Sequence, residues 1–250
     1  MGNLKVKDLF NHLQTYKDAV ILFGNKAINK LANDIDAEIL TNKVLRRNPV
    51  DFWNYYNHTV LNLNKELNDA QLAIKYLTDN DLSSKIINLT TDSRLYYYYL
   101  LNQKVELINL HGLCTQYKCT KCKKIIDTDR ILIEPPVCDI CKKPLRPNIL
   151  LEGENYFDND FHQMKEWLLN THTLIGVGVD WSEDPVANLI LDYTEMKDQR
   201  NKTEQEKRMV VLVGDDEIIK DFDELGNFEF VVHGDVNESM KRLIDKKDAE

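Results

Sequence analysis

With 250 residues, 43% of them hydrophobic and 29% charged, the chain can form one sizeable domain or a large domain carrying a small one. Its net charge of −9 argues against a general nucleic-acid binder, whose affinity rests on neutralising phosphates. No apolar run reaches bilayer-spanning length, and MGNLKVKDLF has neither the apolar core of a secretion signal nor a myristoylation pattern. The expectation is a cytoplasmic protein with no membrane or nucleic-acid partner, in which paired cysteines hold metal rather than form disulfides.

In chain order, Leu4 to Tyr16 has apolar residues near helical spacing, and AVILFG (19–24) is a short buried strand ending in glycine. Strand, glycine, then helix is how a doubly wound sheet begins. LTNKVLRRNPVDFWNYYNHTVLNL is helical in pattern and interrupted at Pro49. ELNDAQLAIKYLTDND is an amphipathic helix, KIINLTT a strand, and Tyr96 to Tyr99 a helix whose rings pack. KVELINLHG is the next strand and leads directly into the cysteines. Beyond them NILL, TLIGVGV, RMVVLVG and FEFVVHG are strand-like, and FHQMKEWLLN, DPVANLILDYTEMKDQ and VNESMKRLIDKK are helical. The alternation implies an α/β protein with a mostly parallel, Rossmann-like doubly wound sheet.

Cys119-x-x-Cys122 and Cys138-x-x-Cys141 are separated by fifteen residues, the spacing of two knuckles that share one tetrahedral zinc. Four thiolates leave no open coordination position, so the expected zinc is structural. Cys114 lies outside the pattern and reads as a packed thiol. A histidine before glycine, as at His111, is by itself more readily a capping or core residue than a catalytic one.

ELINLHG, the two cysteine pairs and PLRPNILLEGE together resemble the sirtuins, NAD-dependent protein-lysine deacylases. Leu145, Arg146, Pro147, Gly153 and Glu154 match the family's wording after the ribbon, with Ile149 and Leu150 conservative. FWNYYN, LNDAQLAIKYL and LIGVGVDWSEDPVANLI match further segments in the right order. The resemblance implies a Rossmann-like large domain (1–30, 85–112 and 149–250), a helical module (31–84) and an inserted zinc-ribbon small domain (113–148). NAD and an acyl-lysine protein or peptide would share the cleft between the domains. His111 would be the general base that takes a proton from a ribose hydroxyl, a role that suits an imidazole with an ordinary pKa of about 6.5. NAD would meet Gly24, Asn25, Lys26, Thr91, Asp92, Gly178, Val179 and Asp180. The peptide would pair along Ile149, Leu150, Gly153 and Glu154 as an added strand.

The departures from the family cluster at the cofactor. Lys26 replaces a glycine where backbone amides approach pyrophosphate, and adds a Cβ and a long side chain. Thr91 and Asp92 stand for Gln and Asn, Arg94 falls near an Asp and reverses its charge, Gln71 replaces a histidine, and Val179 and Asp180 replace Thr and Ser. Glu152 stands where the family has an aromatic. The expectation is a sirtuin-like protein that binds NAD weakly and whose deacylation is weakened or lost. The alternative is a catalytically degenerate pseudo-sirtuin acting as a nucleotide- or peptide-binding module.

Overall fold

The computed structural model describes residues 6–28, 36, 38–101, 104–132, 134–156, 158–179, 184–203, 208–214 and 228–245. Six short strands, β1 (Ala19–Phe23), β2 (Ser83–Asn88), β3 (Glu106–Asn109), β7 (Thr173–Val177), β8 (Met209–Gly214) and β9 (Phe230–His233), form one sheet. Its order is β3-β2-β1-β7-β8-β9, and every described pairing is parallel. A parallel sheet is covered on both faces, so its central strands are apolar throughout: β1, β7 and β8 are buried at every position.

One face packs on α1 (Val6–Tyr16), α4 (Asp69–Asp79) and α8 (Val236–Asp245), through residues such as Leu9, Leu13, Ile74, Leu77, Met240 and Leu243. The other packs on α6 (Asp158–Asn170) and α7 (Asp184–Thr203), through Met164, Trp167, Leu168, Ile190 and Tyr193. The chain winds outward from β1 to β3, crosses back, and winds outward again from β7 to β9. The direction of winding therefore reverses between β1 and β7, the switch point where such sheets bind ligands.

A second sheet, β5-β4-β6, is antiparallel and is built from β4 (Gly112–Cys119), β5 (Ile125–Asp127) and β6 (Leu145–Ile149). The strand expected from KVELINLHG ends at Asn109, and Gly112 already belongs to this other sheet. Gly112 makes that transfer possible: its φ is +78°, and a Cβ there would lie 2.0 Å from the Asn148 carbonyl oxygen. Within the span 31–84, α2 (Asn42–Arg47) and α3 (Pro49–Thr59) pack on the small sheet, whereas α4 packs on the large one. Phe52, Trp53 and Tyr56 of α3 share a core with Tyr117, Leu145 and Ile149, and Trp53 meets the Tyr117 ring edge-on at 5.0 Å. Asn48, between α2 and α3, begins the second helix by accepting the Asp51 amide, with Pro49 at the first turn. The interruption at Pro49 is thus a change of helix.

Candidate active site and metal centre

Among the described residues, those singled out for cofactor and chemistry lie beyond the C-terminal ends of β1, β2, β3 and β7. Two glycines line the switch point back to back. A Cβ on Gly24 would lie 2.3 Å from the Gly178 carbonyl oxygen, and one on Gly178, at φ +58°, would lie 2.5 Å from the Ala27 nitrogen. The Lys26 amide donates to the Gly178 carbonyl at 3.0 Å, and the Gly24 amide to Val177 at 2.9 Å. The glycines therefore let two loops of this chain touch, and Lys26, half-buried, has its amide engaged in that contact. Val179 is buried behind it, and Asp180 lies outside the described residues.

Next to this turn stands the N-terminus of α4. Asn68 caps the helix reciprocally with Gln71 and donates from its side chain to the Ala27 carbonyl at 2.7 Å. Gln71, fully buried, donates onward to Asp92 Oδ1 at 3.2 Å. Asp92 also accepts from Asn62 at 3.1 Å and from Arg94 Nε at 2.9 Å to Oδ1 and 3.0 Å to Oδ2. Arg94 extends to the Glu66 carbonyl at 3.3 Å. Both members of the pair are buried, Asp92 at 5% exposure and Arg94 at 7%. The expectation of a reversed charge facing the cofactor is corrected here: the guanidinium closes on Asp92, because a buried charge needs a partner and the nearest lies two residues away. Thr91 is half-buried, and its carbonyl accepts the Cys114 amide at 2.8 Å. Asn88 ties this turn to the end of β3, donating to the Asp92 carbonyl at 3.1 Å and to Asn109 Oδ1 at 3.0 Å.

His111 follows two residues later and is half-buried. Its ring lies parallel to Tyr156, with centroids 5.6 Å apart and His111 Nε2 3.4 Å from the Tyr156 hydroxyl; Phe161 stacks behind Tyr156 at 5.7 Å. Its backbone carbonyl accepts the Leu150 amide at 2.9 Å, which binds the segment after β6 to the end of β3. Tyr156 was not among the residues singled out from the sequence. It follows the turn at Gly153 without periodicity, and only the fold brings it to the imidazole.

The segment 149–154 is extended at Ile149 and Leu150, then turns. Glu152 is exposed and its amide donates to the Leu40 carbonyl at 3.0 Å; Gly153, at φ +80°, is also exposed. Glu154 accepts from Arg146 Nη1 at 2.5 Å and Nη2 at 2.7 Å, from Asn42 at 2.6 Å and from the Leu151 amide at 2.9 Å. Partial burial pushes the Glu154 carboxyl up, but these donors outweigh it and hold the group down at about 2. Glu154 thus ties the segment to β6 and α2.

The four cysteines meet in the small sheet's turns with all four Sγ atoms within 4.8 Å of one another. Cys119 and Cys141 are 3.4 Å apart, and Cys122 and Cys138 3.7 Å, close to the roughly 3.8 Å edge of a tetrahedron with zinc–sulfur bonds of about 2.3 Å. The two knuckles are near copies. In each, the first cysteine's carbonyl accepts from a lysine four residues on, Lys123 at 3.2 Å and Lys142 at 3.0 Å. Both lysines are left-handed, at φ 63° and 54°. The amides of Lys121 and Cys122 point at Cys119 Sγ, each at 3.4 Å. Burial pushes that thiol up, but these donors bring it down to about 6, toward the thiolate that a metal binds. The donor set fits a structural zinc. Cys114 is buried, its thiol raised by that burial, beside Ser93 and Asn62.

Residues 12–183 match the Sir2 family. Among curated proteins, NAD-dependent protein deacylase 1 of Pseudomonas syringae pv. tomato is 27% identical over 161 residues, 60% of this chain and 67% of that protein. An NAD-dependent deacetylase of Dictyostelium discoideum is 27% identical over 57% of this chain and 49% of its own length, so the match spans about half of that relative. An NAD-dependent protein deacetylase of Clostridium perfringens is 23% identical over 71% of this chain and 74% of that protein. In three dimensions the chain resembles Sir2Tm bound to a propionylated peptide, with TM-score 0.73, 19% identity and coverage of 99% of this chain and 100% of that one. It also resembles a Sir2 homolog–NAD complex, with TM-score 0.77, 19% identity and coverage of 96% and 92%. At that identity the structural likeness is one of fold.

Proposed function

The chain belongs to the Sir2 family, whose relatives are NAD-dependent protein deacylases, and we propose that in this member deacylation is weakened or lost while the cleft architecture is kept. The observation that carries this reading is the buried Asp92–Arg94 pair. In a family pocket that must grip a neutral carboxamide, Asp92 already accepts from Arg94, Gln71 and Asn62. A ligand amide there would have to displace an internal donor and leave a buried charge short of partners, which is unfavourable. The loops carrying Gly24 and Gly178 stand at the switch point, the place where a phosphate-bearing ligand would bind, although the Lys26 amide is engaged with Gly178. The fit to NAD is therefore partial: Gly24, Asn25, Lys26, Gly178 and Val179, with Asp180 outside the described residues, remain the residues that would meet the cofactor, and Thr91 and Asp92 form the poor end.

His111 is the residue that would accept a proton from a bound hydroxyl, and the stacked Tyr156 orients its ring. Ile149, Leu150, Gly153 and Glu154 would border an acyl-lysine peptide, with Glu154 acting as the tie that holds the segment rather than as a direct contact. One zinc on Cys119, Cys122, Cys138 and Cys141 would hold the small domain together and take no part in the reaction. The second reading, a pseudo-sirtuin that binds nucleotide or peptide without turnover, rests on the same ion pair and differs only in the residual rate.

Calorimetric titration with NAD and ADP-ribose, together with turnover of an acetyl-lysine peptide, tests both. We expect weak NAD binding and turnover at least about 100-fold below that of an active relative, a loss of about 2.7 kcal/mol in transition-state stabilisation. Robust NAD-dependent turnover abolished by His111→Ala would overturn the proposal. Tight ADP-ribose binding with no turnover would select the second reading.

A further inference from the structure

The chain is acidic as a whole, yet its ribbon is not. Residues 118–146 contain eight Lys and Arg against four Asp and Glu, and α2 adds Lys43, Arg46 and Arg47 with no acid. The fold sets these two segments across from each other. Between them lies a groove of about 540 Å³ whose floor includes Trp53, Pro136 and Val137 and whose rim includes Arg46, Lys123 and Arg146. Among the described residues no carboxylate lines it. Arg146 is neutralised by Glu154, but Arg46 and Lys123 form no ion pair among the described residues; Lys123 reaches only the Thr120 carbonyl, at 3.1 Å. Lys121, Lys142 and Lys143 extend the same positive surface, all exposed. Val137 is 60% exposed over the groove floor. Through Thr120, Lys123 and Arg146 the groove runs into a second hollow of about 450 Å³ bordered by Ile149, Leu150 and Gly153.

We propose that this groove is a docking site for an acidic protein segment that carries an apolar side chain: carboxylates on Arg46 and Lys123, the apolar group on Val137 and the prolines. Charge complementarity chooses the sign of the partner. The floor chooses a peptide over a nucleic acid, because prolines and a valine offer no aromatic face on which bases stack, and Trp53 is only 2% exposed. The site uses neither His111 nor the glycine turns, so it stands or falls apart from deacylation. Its continuity with the 149–153 segment means that an acidic stretch could be held while the neighbouring part of the same protein lies along that segment.

The test is fluorescence polarisation on the zinc-loaded full chain, with a labelled twelve-residue peptide rich in Asp and Glu around a single Leu and containing no lysine. Binding should weaken at least 10-fold in Arg46→Gln/Lys123→Asn and again in Val137→Asp. It should also fall as salt rises from 50 to 300 mM, as exposed charge contacts do. These positions are exposed, and unchanged zinc content and circular dichroism would show that the variants fold. Because the peptide has no acyl-lysine, a failure of the deacylase reading would leave this result untouched. Equal affinity for wild type and variants, equal affinity for a Lys-rich peptide, tighter binding of a single-stranded oligonucleotide, or self-association of the chain through this face in sedimentation would each overturn the proposal.

Discussion

The cysteine ribbon and the turn after β2 are both sites where this chain must satisfy buried polar atoms, and they do so in opposite ways. In the ribbon, four sulfurs converge on a point with none of the chain's own cations among them, two knuckles share the same turn, and the first presents two amides to Cys119 Sγ. That arrangement is complete only with an external ion. After β2, the carboxylate of Asp92 converges with the guanidinium of Arg94, and Gln71 and Asn62 fill the remaining directions. That arrangement is complete without a ligand. The difference is one between four sulfurs that meet only one another and a carboxylate whose directions are already taken, and under the proposed function it gives the four-cysteine cluster and the proposed cofactor site different expectations in one family fold.

The contrast breaks most readily at the metal. Chelation, or Cys138→Ser at a buried ligand, should unfold the small domain, since a structural zinc supplies folding energy directly. Metal analysis should give about one zinc per chain, and thermal melting should lose a cooperative transition on chelation. Persistence of the native melt without metal would remove the distinction.

Next in size is the self-filled turn. Arg94→Leu should destabilise the protein by about 3–5 kcal/mol, because it leaves the Asp92 carboxylate buried without its cation. The double variant Asp92→Asn/Arg94→Leu should recover a large part of that loss. Urea denaturation of Arg94→Leu, Asp92→Asn and the double variant measures the coupling, and additive effects would mean that the pair is not acting as one unit.

A smaller effect should appear with acid. The Glu154 carboxyl is held at about 2 in the folded protein, below its ordinary value of 4.5. A lowered folded-state pKa contributes stability that is full above 4.5 and is lost as pH falls toward 2. After screening at this partly exposed site we expect about 1–2 kcal/mol, absent from Glu154→Gln when stability is followed between pH 6 and 3. Glu154→Gln with an unchanged pH profile would deny the tie between the 149–154 segment and Arg146.

The smallest effect separates the knuckles from their metal. Lys142→Gly should leave zinc affinity in place and stabilise the protein by up to about 1 kcal/mol, because φ of 54° strains any residue with a Cβ. Part of that gain is offset by the greater freedom glycine has in the unfolded chain. A loss of zinc on this substitution would show that the lysine, and not the turn geometry alone, shapes the site.

What the sequence determines by itself is what depends on neighbours along the chain. The alternation of apolar strands and amphipathic helices implies the parallel sheet, and Cys-x-x-Cys repeated after fifteen residues implies the metal site, because each knuckle is a single turn whose geometry is local. His111-Gly112 closes the apolar run in the sequence, but the change of sheet there was decided in three dimensions, where only a left-handed residue with no Cβ passes Asn148. Arg94 could be read as a change of charge, but its direction was decided in three dimensions, where Asp92, Gln71, Asn62 and the Glu66 carbonyl surround it. Glu154 could be matched to a motif, yet its strongest partners include Asn42, 112 residues away. The basic groove belongs to the same class: α2 and the first knuckle are separated by more than seventy residues, and each alone is a few cations on a solvated surface. Electrostatic and hydrogen-bond partners are set by distance in space, which the sequence encodes only through the packing of every element between them; only the tertiary structure therefore decides which charges of this chain are paired and which are offered to a partner.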